Sequence, residues 1–347
     1  MGDIDKKKII LVGAGKIGEE ALSFFGIKNV YCFADTYHYD WIHCGNYVIS
    51  FEELRKIHRD YDVVLSIGYS QFSDLSNQLN EAQIPYTAYS TILKKHRQDL
   101  YENQKIAAFK NIHQNESCFL VGNGPSLLPS DLDSIQKHGY ATIACNFINK
   151  IFDKTDWRPD YYCCEESSAI LLNKDFIMNY PLKAKFIKNF KNRDDAELFF
   201  GAREDVNFFV YCASRLEVSE NIAKIIYDGY TVMFPMLQIA MYMGFSKIYL
   251  IGVDNTQPPG PHTKNFAEVH SHFYDEDVGE LEKRREILPA FGFDDDWNHY
   301  FTHVNSHYQV ARDYAEEHGI KIYNATRGGK LEVFERVDID ELLGEQV

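Results

Sequence analysis

Twice in this chain a short apolar run breaks off into glycine. Lys8 to Val12 leads into Gly13-Ala-Gly-Lys-Ile-Gly18, and Phe119-Leu-Val121 leads into Gly122-Asn-Gly-Pro-Ser126. A short apolar run, a glycine turn and then a helical pattern mark a βαβ unit, since glycine takes up the sharp reversal between strand and helix. The alternation continues around both turns. Asn29 to Ala34 and Asp62 to Ile67 read as further strands of a first series, with a helix near Phe72 to Leu79. Ser117–Val121, Thr142–Cys145, Asp160–Cys163, Asn207–Tyr211, Lys247–Ile251 and Ile320–Tyr323 read as strands of a second. Helical patterns at Phe234–Met243, Leu281–Leu288 and Val304–Glu317 separate them. Strands alternating with helices imply parallel sheets. The expectation is an α/β chain with two Rossmann-like domains: a module at 1–92, a charged helical linker at 93–114, and a larger catalytic domain at 115–347.

Charge and composition narrow the partners. A net charge of −15 with no basic run argues against a nucleic-acid surface. No apolar run approaches the ~20 residues of a membrane helix, and the Lys6-Lys7-Lys8 start leads only into a short strand, so no signal peptide is expected. The seven cysteines are scattered, odd in number and without C-x-x-C spacing, which fits a reducing compartment. A cytoplasmic homo-oligomer, at most peripheral to a membrane, is the expectation.

The first turn satisfies G-x-G-x-x-G between a strand and a helix, with an acid at the end of the next strand. Gly13, Gly15 and Gly18 allow close approach of a pyrophosphate and Asp35 suits a ribose, so these four define a second nucleotide site. A turn kept only for packing is the competing reading, and the short domain favours it.

The second turn has neighbours. The strand after it ends at Cys145-Asn146, the next at Cys163-Cys164-Glu165-Glu166, and Ile248 to Asp254 ends in Gly252 and an acid. Phe234-Pro235 opens a helix. Ligands of open parallel sheets bind outside the carboxyl ends of the strands, so these residues converge on one crevice. The spacings His303-x3-His307 and His270-Ser-His272 lack the glutamate of H-E-x-x-H, and no metal centre is expected from them. Arg327 and Lys330 follow the last strand, where one of them would meet an acidic substrate, although each alone reads first as a surface charge.

Val121-Gly-Asn-Gly-Pro-Ser-Leu127, Cys145-Asn146, Met233 to Gly244, Lys247 to Asp254 and Gly319 to Thr326 resemble the MptE-like family. That family groups archaeal 6-hydroxymethyl-dihydropterin diphosphokinase with bacterial flagellin and surface-glycan transferases. The same signposts, with His299-Tyr-Phe-Thr-His303, resemble Campylobacter-type sialyltransferases. The first module is instead similar to small Rossmann-like modules attached to surface-polysaccharide enzymes. The resemblance implies a glycosyltransferase of surface-glycan assembly. It would move an acidic sugar from a CMP- or CDP-linked donor to a glycan or small hydroxyl acceptor. Gly122, Asn123, Gly124, Pro125, Ser126, Asn146, Phe234, Pro235 and Gly252 then hold donor and phosphate, with Tyr300 or Tyr274 on the leaving phosphate. His303 takes the acceptor proton. Phe234-Pro235 replaces the Ser-Gly of the sialyltransferases. The alternatives are Mg/ATP diphosphoryl transfer, with Asp254 and Asp294-Asp-Asp296 holding Mg²⁺ as the cofactor, and a nucleotide-sugar binding protein without catalysis.

Overall fold

The computed structural model describes residues 7–92, 102–189, 203–212, 216–256, 272–275, 277–287 and 297–344. The chain divides into two compact units, Met1–Leu100 and Tyr101–Val347. Both are built on a mostly parallel sheet.

In the first unit the strands are β1 (Ile9–Val12), β2 (Val30–Asp35), β3 (Trp41–His43), β4 (Asn46–Ser50), β5 (Asp62–Leu65) and β6 (Thr87–Ala88). They lie in the order β3-β4-β2-β1-β5-β6, and only the β3–β4 hairpin is antiparallel. Helices α1 (Lys16–Phe25), α2 (Phe51–Ile57) and α3 (Tyr69–Glu81) make the crossovers. The hairpin has no counterpart in the sequence reading. Trp41 and Ile42 are both exposed, so the alternation that announces a strand is missing there.

The second unit carries β7 (Ser117–Val121), β8 (Ala141–Cys145), β9 (Tyr161–Cys164), β10 (Ala184–Lys188) and β11 (Val206–Phe209). After a short parallel pair, β12 (Tyr211–Cys212) and β13 (Ile226–Tyr227), come β14 (Lys247–Ile251), β15 (Lys321–Asn324) and β16 (Glu335–Arg336). The main sheet runs β11-β10-β9-β8-β7-β14-β15-β16, parallel throughout. Side chains alternate between two cores. Cys118, Leu120, Ile143 and Ile248 pack under helix α6 (Met233–Met243) and helix α8 (Trp297–Glu317). Phe119, Val121, Ala144 and Tyr249 pack with Leu132 and Ile135 of α4 (Pro129–Lys137). Helices α5 (Ser167–Leu172) and α7 (Val278–Ile287) are adjacent.

Strand β10 escapes a hydropathy reading because it carries Lys185, whose side chain is fully buried. The ammonium pairs with Asp205, which Arg203 also holds at 3.0 Å. Helix α6 is buried along its whole length, including Gln238. That amide is satisfied on both sides: Nε2 donates to Tyr227 O (2.8 Å), and Oε1 accepts from the N–H groups of Ser219 and Tyr227 (3.2 and 3.1 Å). Residues before β7 close the other end of α6. The N–H groups of Asn111, His113 and Asn115 donate to the carbonyls of Tyr242, Met243 and Gly244, the partners a helix C-terminus otherwise lacks. Among the described residues no helix is long and apolar enough to cross a membrane.

Candidate functional site

Strand β7 is the switch point of the second sheet. The strands that follow it in sequence, β8 to β11, lie on one side, and β14 to β16 lie on the other. The loops leaving β7 and β14 press together there. Gly122 N donates to Ile251 O (2.9 Å) and Gly124 N to Gly252 O (2.8 Å). A side chain at Gly122 would place its Cβ 2.4 Å from Gly252 O, and one at Gly124 would come within 1.8 Å of Asp254 Oδ2. Both glycines answer to this close approach.

Asp254 is the centre of the contact. Its Oδ2 accepts from the Ser126 hydroxyl (2.8 Å) and lies 3.4 Å from the Ser126 N–H. The residue is buried, and burial pushes its carboxyl pKa up while the Ser126 bonds pull it down. The sequence reading runs Ser126 directly into a helix and offers the turn's N–H groups to an anion. In the structure α4 starts only at Pro129, and the N–H groups of Gly122, Gly124 and Ser126 are committed within the protein. The anion at this turn is the chain's own carboxylate.

What the turn presents outward is Asn123. Its Nδ2 donates to Cys145 O (3.1 Å), fixing the amide so that Oδ1 is the free end. Oδ1 is buried and has no hydrogen-bond partner. A buried amide oxygen left unpaired is costly, and it is satisfied by a ligand that donates from a hydroxyl or amine. Asn146 follows β8 in the left-handed region (φ 46°), its carbonyl held by Tyr162 Oη (2.7 Å) and Asn173 Nδ2 (2.9 Å). Phe273 N donates to Asn123 O (3.0 Å), which brings residues 272–275 over the turn, and His272 stacks on Tyr274 at 4.9 Å.

A cavity of about 70 Å³ lies at this point. Of the residues expected from sequence, Gly122, Asn123, Asn146, Gly252, Asp254 and Tyr300 line it. Gly124 and Ser126 do not line it but brace the Gly252–Asp254 loop, and Pro125 is exposed. Helix α6 reaches the cavity through Met233 and the preceding Thr231 and Val232, whereas Phe234 and Pro235 turn into the core. Thr231, Asn255 and Tyr308 are lining residues that the sequence reading did not single out, and His272, considered there only as half of a rejected metal pair, lines it too.

Helix α8 supplies the remaining wall through Tyr300, Phe301, Val304 and Tyr308. The Tyr300 hydroxyl donates to Tyr230 O (3.0 Å), tying the helix to the loop before α6. His303, on the same helix, is 6% exposed and is not among the residues lining the cavity; its ring is 5.4 Å from that of Tyr230. His307 is buried a turn further on. Its Nδ1 bonds the His303 carbonyl (2.8 Å) and its ring packs on Tyr230 and Phe234. The pair is therefore seated among aromatic rings.

Beside this wall is an acid that the strand ends announced without a role. Glu165 follows β9, and its carboxyl pKa is pushed up to about 7, first by burial and then by the Asp228 carboxylate. The Lys188 ammonium and the Tyr211 hydroxyl oppose the shift. Burial first, then Tyr308 and the same acids, push the Tyr300 phenol up.

Other expectations move. Arg327 does not face the crevice as a free cation. Its guanidinium grips Asp131 (Nε–Oδ2 3.0 Å, Nη2–Oδ1 2.9 Å) and Asp340 (Nη1–Oδ2 2.8 Å), joining α4 to the C-terminal helix at Ile339–Leu343. Lys330 is exposed, and its backbone N–H donates to Asp254 O (2.7 Å). Asp294–Asp296 and His270 lie outside the described residues, as does the His299 side chain. In the first unit Gly13, Gly15 and Asp35 line a separate cavity, and Gly18 packs on the Gly13 carbonyl. Among the described residues one trio of metal-ligand type, Glu19, His43 and Cys44, has its atoms within 4.8 Å of one another, and it too is in the first unit.

Residues 91–258, which include β7 to β14 and the paired turns at Gly122 and Gly252, match the family model for 6-hydroxymethylpterin diphosphokinase MptE-like proteins. No curated protein matches the chain. Among solved structures, the MAf glycosyltransferase from Magnetospirillum magneticum AMB-1 is similar at 15% identity with a TM-score of 0.41. The match covers 96% of this chain and 58% of that one, so the chain spans little more than half of that protein's length. The likeness to the MptE-like family lies within residues 91–258.

Proposed function

We propose that the second unit is a transferase that moves a glycosyl group from a nucleotide-activated donor to a hydroxyl acceptor in surface-glycan assembly. The observation that carries this reading is the convergence of Asn123, Asn146, Asp254 and Tyr300 on one crevice at the switch point of the parallel sheet. The unpaired Asn123 Oδ1 takes a hydroxyl or exocyclic amine of the donor, and Asn146 orients it. The acceptor oxygen attacks the anomeric carbon and the bond from that carbon to the donor phosphate breaks. The electron pair leaves on the phosphate oxygen, and the acceptor proton passes to His303. Imidazole suits that task because its pKa lies near neutrality. A cavity of 70 Å³ takes a phosphate-sized group, so a whole nucleotide-sugar enters only as the crevice widens.

The likeness to 6-hydroxymethylpterin diphosphokinase MptE-like proteins favours one alternative, diphosphoryl transfer from ATP to a pterin-like alcohol. There Mg²⁺ would supply charge neutralisation on the phosphates, held through Asp254. Asp254 is engaged with Ser126, which makes it a poor first ligand without rearrangement. Chelation separates the two. With a CMP- or CDP-sugar donor, glycosyl transfer is expected to proceed at an undiminished rate in EDTA. ATP-dependent, EDTA-sensitive turnover with no sugar transfer would replace the first reading by the second.

A further inference from the structure

A cavity of about 480 Å³ in the first unit, roomier than the 70 Å³ crevice of the second, plays no part in the reaction proposed above. It opens outside the carboxyl end of β1, between β2 and β5, which is the switch point of that sheet.

The three glycines of the turn have different reasons to be glycine. Gly13 has φ 106°, and a Cβ there would lie 2.3 Å from Ile67 Cγ2. A Cβ on Gly18 would strike Gly13 O at 2.1 Å. Packing inside the protein demands both. Gly15 is extended (φ −89°, ψ −167°), and its Cβ would meet nothing within 4 Å. Nothing within the protein requires its missing side chain, and it lines the cavity. The space it leaves is on the ligand side.

Other groups on the same wall are open to a partner. Gly15 and Gly68 are the N-caps of α1 and α3, neither makes a side-chain capping bond, and both line the cavity. Two sets of first-turn N–H groups are thus left to one space. Thr36 Oγ1 is buried with no hydrogen-bond partner. Asp35 Oδ1 accepts from the N–H groups of Tyr37 and His38 (2.9 and 3.0 Å), which sets the loop. Its Oδ2 receives only a long 3.5 Å approach from Ala14 N. Tyr37 and Trp41 are exposed on the same rim.

We propose that the first unit binds a nucleoside diphosphate moiety with a free ribose 2′-hydroxyl, its pyrophosphate on the Gly13–Gly15 turn and its ribose on Asp35. The moiety comes from a dinucleotide or from a nucleotide-sugar. A 2′-phosphate is rejected because it would face the Asp35 carboxylate.

Calorimetric titration of the whole chain with ADP, UDP, NAD, NADP and UDP-N-acetylglucosamine tests this. ADP or UDP is expected to bind, and Gly15→Val to weaken that binding tenfold or more with an unchanged melting temperature, since the position has room for the side chain. ADP with NAD identifies the dinucleotide source; UDP with its sugar identifies the other. Asn123→Ala, in the second unit, leaves this binding intact, which keeps the two sites distinguishable. Asp35→Asn keeps the loop acceptor and is expected to narrow the preference for NAD over NADP, or to lower UDP affinity. Absence of ADP and UDP binding below about 1 mM, binding unchanged by Gly15→Val, or NADP binding as tightly as NAD when ADP is the preferred nucleotide overturns the proposal.

Discussion

Gly124→Ala is expected to destabilise the second unit by roughly 3–5 kcal/mol, the sum of overpacking and a severed buried hydrogen bond. The new methyl carbon would lie 1.8 Å from Asp254 Oδ2 and 2.7 Å from Gly252 O. One neighbour is backbone, fixed by the Gly124 N–H bond to Gly252 O at 2.8 Å, so it yields little. The other is the carboxylate, and moving it breaks the 2.8 Å bond from the Ser126 hydroxyl while the acid stays buried. For a unit of this size the loss corresponds to a fall of roughly 10 °C in the calorimetric transition. A fall of under about 2 °C would mean that the two turns are not packed as described.

The larger effect on chemistry belongs to His303. His303→Ala is expected to lower the transfer rate by about 10²–10⁴, the range for loss of a general base. Because the ring is buried against Tyr230, truncation also leaves a void, so His303→Gln is the sharper variant. It fills much of the space yet does not titrate near neutrality. Both are expected to lose the rate while donor binding changes little. Glu165 provides the internal check on this assignment. Its carboxyl titrates near 7 and sits beside the Tyr300 wall. If transfer survives in His303→Gln with a pH profile that Glu165→Gln abolishes, the base is the carboxylate and the histidine is packing.

The sequence made the parallel sheets legible because their central strands are buried on both faces and end at glycines. β7 and β14 appear as continuous apolar runs, and the residues after them meet as the strand-end argument requires. Three things were not legible. Strand β10 is masked by Lys185, a buried ion-pair partner that hydropathy assigns to the surface. The commitment of the Gly122 and Gly124 amides to the Ile251 and Gly252 carbonyls, and of the Ser126 amide to the Asp254 carboxylate 128 residues away, is something no local pattern encodes. The cation expected at the end of β15 is spent on Asp131 and Asp340, each drawn from a different helix. The last two change the chemistry assigned to the turn. It is Asn123, not a row of free N–H groups, that faces the cavity with an unpaired atom. The structure also restores interest in the first glycine turn, whose middle glycine serves no internal packing need.

Amide hydrogen exchange, with CMP, CDP, UDP and Mg·ATP added in turn at saturation, tests most directly whether the crevice of the second unit holds the donor. One of these nucleotides is expected to slow exchange in the peptides carrying Gly122–Ser126, Asn146, Thr231–Met233 and Gly252–Asn255 together. Protection confined to the peptides around Gly15 and Asp35, or none in the second unit with any of the four, would contradict the account.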